Sequence, residues 1–496
     1  MEFKHNLQGA ITMRRRFSVQ GRLDCGSIAD LQLNVECRDE IVPILSGLQY
    51  VFSQSKLRSK LADLIALDIN EDSRSDLGRE GFDYWQIVVL AAVRLGCNLD
   101  YDKLQDLAEN HVALRCLLQV GAWDDTSFSW RRIRDTLCML TPDTVKKINQ
   151  AIVSHGQELH GDARSEVRAD SFVIETNIHY PTESSLILDG VRKIVPLCVS
   201  LADKLDEPGW RQSKHLEKAI KKCNRVISQI SSSKSPKVKA GLPNAYSKLL
   251  ARTEALLERA KSLQTQGENG PLSTLASAKA LKEWIELTEK ICDNANRRVI
   301  LGESVPNQEK LFSLFETHTQ LYRRGKAGVL NQFGRLLLVF EDKIGFISHY
   351  HLMDRDVLDK DVIVTQTRQV QKIHKGEIEK ASYDRGFHSE ENTKELSKIL
   401  ASPCLPPKHP QQYATSLEDG TVEFHQSLQR HPGIESAIGA LQRGNGLKRC
   451  RDRSELGMER YIGLAILGRN LHTLGKLLIA RAAADSSAAI SKRNAA

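Results

Sequence analysis

Val167-Arg168-Ala169-Asp170-Ser171-Phe172-Val173-Ile174 is an apolar, strand-like run with a carboxylate in its middle. β-branched and aromatic residues favour a pleated, half-buried surface. An ionised carboxylate inside such a run has to find a partner or stand at an opening. Downstream, residues 176–180 continue in extended form to Pro181. Upstream the texture is helical. Trp85, Val88, Val89, Ala92 and Val93 share one helical face, Asp100 or Asp102 caps a second helix, and Thr141-Pro142 opens another that runs to about residue 159.

Further along, the chain turns helical after Val199. Periodic Leu, Ile and Ala over residues 213–231, 244–266 and 272–298 are separated by breakers at 231–236 and 267–271. Strand character returns at Arg335-Leu336-Leu337-Leu338-Val339-Phe340. A tight connection then leads to residues 346–352, which predicts a hairpin. A helix over 361–373 and a strand over 378–383 follow, the strand ending at Asp384. Ser389 caps the next helix, residues 403–410 read as a loop, and helices follow over 434–442 and 461–480. The expected class is α/β: a mixed sheet flanked by helices, with an all-α N-terminal domain and a helical insertion after the first core strand. The expected divisions are an N-terminal extension over 1–75, a helical DNA-binding-type domain over 76–160 and a core over 161–480. The insertion occupies 200–310 within the core, and a disordered tail covers 481–496.

Composition narrows the class of function. The 496 residues are 41% hydrophobic, enough to build real cores. The 70 basic and 62 acidic residues leave a net charge of +8, a mild excess. It is concentrated between Arg211 and Arg259, with twelve Lys or Arg against three Glu. That zone suits a phosphate-tracking surface or, equally, a solvated helical face. The ten cysteines show neither CxxC nor zinc-finger spacing, which argues for a reducing compartment and against structural zinc. The apolar stretches at 87–93 and 461–467 are too short to span a bilayer, and no secretory signal pattern follows Arg14-Arg15-Arg16. A cytoplasmic protein with no membrane partner is expected.

Phosphodiester chemistry needs little beyond placed metal ions. Two divalent cations roughly 3.5–4 Å apart clamp the attacking and leaving oxygens of an in-line displacement. Magnesium asks for oxygen ligands, and a few carboxylates suffice because water and phosphate fill the other positions. Asp170, Asp384 and Glu435 fit that need. Asp384 follows an apolar strand and precedes Arg385-Gly386, and Glu435 flanks the apolar stripe Ile434, Ile438, Leu441 at the start of a helix. An aspartate at a strand end is also a common turn former, and a glutamate in a first helical turn is favoured by the dipole alone. Glu175 is the rival carboxylate. His179 reads as a strand histidine with a hydrogen-bond partner.

Five blocks carry a resemblance. They are Gly81-Phe82-Asp83-Tyr84-Trp85 and Ala169-Asp170-Ser171-Phe172-Val173-Ile174-Glu175-Thr176-Asn177-Ile178-His179-Tyr180-Pro181-Thr182 with Asp189-Gly190-Val191-Arg192. The others are Arg323-Arg324-Gly325-Lys326-Ala327 leading to Phe333-Gly334, Tyr383-Asp384-Arg385-Gly386-Phe387-His388-Ser389, and His431-Pro432-Gly433-Ile434-Glu435-Ser436-Ala437-Ile438 with Asn470-Leu471. Together they cover roughly residues 80–480. The chain resembles insertion-sequence transposases of the DDE class, most of all the ISNCY group. The resemblance implies a ribonuclease-H-like catalytic core with Asp170, Asp384 and Glu435 as its metal-binding triad. It also implies two Mg2+ ions (Mn2+ as the alternative) and a homodimer on double-stranded DNA, at terminal inverted repeats and target. The helical insertion accounts for the long interval between the aspartates. Related families often place a lysine seven positions after the glutamate. Here Gln442 stands there, Arg443 follows, and Arg430 and His431 are assigned no role.

Expected DNA contacts are Arg131, Arg132 and Arg134 beside Trp130, Arg323, Arg324 and Lys326 before the hairpin, and Arg443, Lys448 and Arg449 after Glu435. The reading is an enzyme that cuts and transfers DNA strands. Its alternative is a catalytically inactive DNA-binding regulator derived from one.

Overall fold

A computed structural model describes residues 26–70, 81–121, 127–160, 164–210, 213–323 and 330–494. Residues 73–79, a polar stretch that reads as a linker, and two of the expected DNA contacts, Arg324 and Lys326, lie outside the described residues. The chain forms two compact units: residues 1–175 with 336–496, and residues 176–335.

The first unit opens with helices α1 (Ile41–Ser53), α2 (Ser55–Asn70), α3 (Tyr84–Gly96), α4 (Tyr101–Asn110), α5 (Val112–Leu117), α6 (Trp130–Met139) and α7 (Pro142–Glu158), and then strand β1 (Glu166–Glu175). Local chemistry sets these ends. Asp83 and Gln86 form a reciprocal capping box on α3, Asp100 caps α4, and Thr141 caps α7 with Pro142 at its first position. The second unit holds α8 (Glu183–Leu205), α9 (Lys214–Ser232), α10 (Pro236–Lys239), α11 (Leu242–Glu268), α12 (Leu272–Ala295) and β2 (Gln320–Tyr322). Strand β3 (Gln332–Asp342) leads back into the first unit. There follow β4 (Ile347–Leu352), α13 (Asp359–Ile373), β5 (Lys380–Tyr383), α14 (Glu390–Ile399), β6 (Ser402–Cys404), α15 (Pro410–Glu418), α16 (Val422–Arg430), α17 (Gly433–Arg443) and α18 (Glu455–Asn494).

The molecule is mostly helical with one mixed sheet. In the first unit β4 pairs antiparallel with β3, β3 lies beside β1, and β1 and β5 and then β5 and β6 run parallel. Helix α18 is the hub of the helical layer, packing on α1, α3 and α7. Its stretch from Tyr461 to Leu467 is buried nearly all round, as a fully enclosed helix must be. Its approach to α1 and α3 is backbone-close. An ideal Cβ on Gly468 would overlap the Gly96 backbone, and one on Gly475 would overlap the Pro43 carbonyl oxygen. Asn470, fully buried, accepts from Ile347 N at 2.9 Å and donates to Ile347 O at 3.1 Å, so α18 finishes hydrogen bonds that β4 leaves open.

In the second unit α8, α9, α11 and α12 enclose a core of their own. An ideal Cβ on Gly190 would overlap the Thr288 hydroxyl, so α8 and α12 touch closely. Helix α9 buries only Ile220 and Ile227 and leaves Lys214, Lys218, Lys221, Lys222 and Arg225 exposed. The unit begins at Thr176 and ends at Arg335, wider than the 200–310 read from periodicity. The alanine-rich stretch expected as a disordered tail is instead the continuation of α18 to Asn494, in keeping with alanine's helix propensity. The loop expected at 403–410 begins with β6, a three-residue edge strand that tolerates Pro403 because its outer side needs no ladder donor.

Candidate metal-binding carboxylate site

The site rests on one register. Arg168 pairs with Ser382 and Ala169 with Tyr383 across the parallel β1–β5 ladder. Side chains alternate along a strand, and in-register neighbours share a face. Ala169 and Tyr383 therefore point one way. There the Tyr383 hydroxyl meets Thr367 Oγ1 of α13 at 2.9 Å. Arg168 and Ser382 take the other face, and so does Asp170, two residues along β1 from Arg168. The ladder ends at the Ala169–Tyr383 pair: Asp170 is the next residue of β1, and Asp384 leaves β5 to cap the 3-10 turn Arg385–Phe387.

The α16–α17 junction covers that second face. His431 Nδ1 lies 3.2 Å from Ser382 Oγ, and Arg168 Nη1 donates to the Arg430 carbonyl at 3.1 Å. An ideal Cβ on Gly433 would overlap the Arg168 guanidinium, so a larger residue there would have to displace the arginine's tip. Ile434, Ala437, Ile438 and Leu441 of α17 share a core with Phe172 and Ile174, the residues that follow Asp170 on its own face. Glu435, in the first turn of α17 and exposed, stands on the same side of the sheet. Half-buried His431 feels both Asp384 and Glu435. Its imidazole is pushed below the usual 6.5, chiefly by burial, with Arg168 adding to the effect and the two carboxylates opposing it.

Asp170 is half-buried and Asp384 exposed. Asp170 Oδ1 accepts from Ser171 N at 2.7 Å, and Asp384 Oδ2 accepts from Gly386 N at 3.4 Å. An ideal Cβ on Gly386 would lie 3.4 Å from Asp384 Oδ2 and 4.0 Å from Asp359 Oδ2, so this glycine separates two carboxylates. Among the described residues no three His, Cys, Asp or Glu side chains are gathered into a metal-holding group. The donor set nonetheless fits a hard divalent cation in kind: oxygen ligands only, Asp170 on β1, Asp384 directly after β5 and Glu435 in the first turn of α17.

Arg168 anchors the rim. Its Nε donates to Glu341 Oε2 at 2.6 Å, and Arg430 pairs with Glu166 at 2.8 Å. Burial pushes the Glu341 carboxyl up, and Arg168 offsets part of that. A cavity of about 230 Å³ lies among Glu166, Arg168, Glu341, Ser382 and Arg430.

Other expected residues are dispersed. Glu175, the rival carboxylate, pairs with Arg449 at 3.1 Å, where residues 448–450 run along the end of β1. Arg443 and Lys448 are exposed. On α6, the Arg131 and Arg134 guanidinium groups lie 4.9 and 5.2 Å from the Trp130 ring centre, and Arg132 lies 4.2 Å from that of Phe82. In the second unit His179 Nε2 lies 3.2 Å from Ser185 Oγ, and exposed Arg323 donates to Asn331 at 3.2 Å. Sequence reasoning assigned no role to Arg168, His431 or Asp359. For Arg168 a signal existed: two residues from Asp170 in a strand means the same face. No family model, curated protein or solved structure matches this chain.

Proposed function

We propose that the chain is a DDE-class transposase of a bacterial-type insertion sequence, which binds terminal inverted repeats and cuts and transfers DNA strands. The observation that carries this reading is the Ala169–Tyr383 register. Asp170 and Asp384 each follow directly on that pair, which supports a reading in which they share a site with Glu435 in the first turn of α17. The strand order supports a ribonuclease-H-like core: an antiparallel hairpin to one side of β1, two parallel strands to the other.

In the proposed reaction water attacks phosphorus at the element's end. The bond to the leaving 3′-oxygen breaks, giving a 3′-hydroxyl and a 5′-phosphate, and the water proton passes to solvent. The 3′-hydroxyl then attacks a target phosphodiester and releases a target 3′-hydroxyl, so one ester replaces another. Magnesium or manganese bound at Asp170, Asp384 and Glu435 would supply Lewis-acid stabilisation of the attacking and leaving oxygens. The chain's own residues hold that arrangement. Arg168 ties β1 to the α16–α17 junction. His431 packs against Ser382 at the same junction, its imidazole pushed below its usual value chiefly by burial. Exposed Arg443 and Lys448 follow Glu435 and suit phosphate contact. A homodimer would pair the two DNA ends.

The test is strand cleavage on a duplex bearing the flanking inverted repeat, in Mg2+ and in Mn2+, with Asp170→Asn, Asp384→Asn and Glu435→Gln beside the parent. Cutting by the parent and none by the variants is expected. The alternative reading is a DNA-binding regulator without catalysis. A parent that shifts the repeat on a gel, yet never cuts it, would establish that reading.

A further inference from the structure

The second unit contains a cavity of about 280 Å³ built unlike the carboxylate site. Three cations line it: Arg298 just beyond α12, Lys310, and Arg323 just beyond β2. One acid, Glu183 in the first turn of α8, also lines it and pairs with Arg298. Positive charge therefore exceeds negative by three groups to one. Lys310 donates to Asn307 Oδ1 at 3.3 Å. Its ammonium is pushed below its ordinary value by burial and by the nearby charges of Arg298 and Arg323. Cations crowded into one hollow repel each other, and an anion relieves that.

The remaining wall is aromatic. Tyr180 meets Phe333 edge-on, with ring centres 5.4 Å apart and planes at 86°, and Phe312 lies 5.5 Å from Phe333 on another side. The Tyr180 side is 66% exposed, so a ring face is open to a ligand. Asn331 joins the two walls. Its Nδ2 donates to the Tyr180 hydroxyl at 3.4 Å, and its Oδ1 accepts from Arg323 Nε at 3.2 Å.

Clustered cations suit a phosphate, and an open aromatic ring suits a flat base. The volume lies just under the roughly 300 Å³ at which small-ligand pockets begin. That is room for one nucleotide and far too little for a stacked duplex. We propose that this cavity takes one unpaired nucleotide unit of a DNA strand, with its phosphate on Arg298, Lys310 and Arg323 and its base against Tyr180. The site goes beyond the carboxylate chemistry and needs no metal.

The experiment is fluorescence anisotropy in EDTA, with the full chain and a fluorescein-labelled single-stranded DNA oligonucleotide. Tyr180→Ala, Lys310→Gln and Arg323→Gln are each expected to weaken binding about tenfold. The two charge variants should also flatten the salt dependence by about 0.7 in log–log slope. Tyr180→Trp should retain parental affinity, Lys394→Gln on α14 should change little, and dAMP should displace the oligonucleotide at concentrations where inorganic phosphate does not. Unchanged affinity in all three variants, with circular dichroism showing them folded, would overturn the proposal. So would phosphate competing as well as dAMP. Tyr180 is largely exposed, so its variant keeps the test decisive if a charge variant fails to fold. Single-strand binding that survives in a protein unable to cut with Mg2+ would sink the transposase reading and leave this site standing.

Discussion

Ala169 and Tyr383 face one another on adjacent parallel strands, and each is followed directly by an aspartate. Two carboxylates side by side repel unless a cation lies between them. Asp170→Asn and Asp384→Asn should therefore lower metal-dependent cutting by roughly a hundredfold or more. Stability should be unchanged, or raised by up to about 1 kcal/mol through lost like-charge repulsion. Cleavage rates with parallel urea titrations check both halves. A variant that cuts like the parent would remove that aspartate from the site.

Arg168 holds a buried carboxylate and a helix junction at once. Its removal leaves Glu341 buried and unpaired, 4% exposed at the side chain. Arg168→Ala should cost on the order of 3 kcal/mol, and Arg168→Lys less. Urea unfolding would measure this. A double variant Arg168→Ala, Glu341→Gln should recover much of the loss, because the uncompensated charge is then gone.

Acid sensitivity follows from buried imidazoles. Burial pushes His349 to about 3 and His374 to about 4, from the ordinary 6.5. The unfolded chain takes these protons below about pH 6.5 and the folded chain refuses them, so stability is full above that pH and falls as pH drops towards 4. Each histidine contributes a slope of about 1.4 kcal/mol per pH unit. Asp342, raised to about 7 by burial, acts oppositely: it stays protonated when folded, and its contribution is lost as pH rises from 4 to 7. His349→Phe should flatten the acid loss by about one such slope. Unfolding midpoints at pH 6.5, 5.5 and 4.5 would reveal it, and an unchanged gradient would refute the assignment.

Gly468 meets Gly96 with no room for a methyl group. Gly468→Ala should cost about 1–3 kcal/mol through forced separation of α3 and α18. Alanine is the better helix former, so a stabilised variant would show that the helices are not in close contact.

Strands and helices with strong patterns were legible: β1, the β3–β4 hairpin, β5 and α17 all fall where alternation, turn residues and helical spacing put them. Period alone tells which face a residue takes, not which strand stands beside it. The Arg168–Ser382 register had to come from the fold. Helix α8 starts at Glu183, earlier than the helical texture read from Val199, although the Thr182–Ser185 capping box marks its entry. The basic residues were legible as charge but not as places. Arg449 is spent on Glu175, while Arg323 lines a cavity together with Lys310, which had drawn no attention.

The glycine contacts of α18 also govern when the first unit can form. A ribosome releases α1 and α3 long before α18. Apolar faces such as Ile44, Leu48, Val88 and Leu95 thus wait uncovered while everything between is synthesised. The second unit is continuous in the chain and can close over its own core during that wait. A message cut short before Glu455 therefore yields a folded helical middle flanked by sticky, unfinished ends.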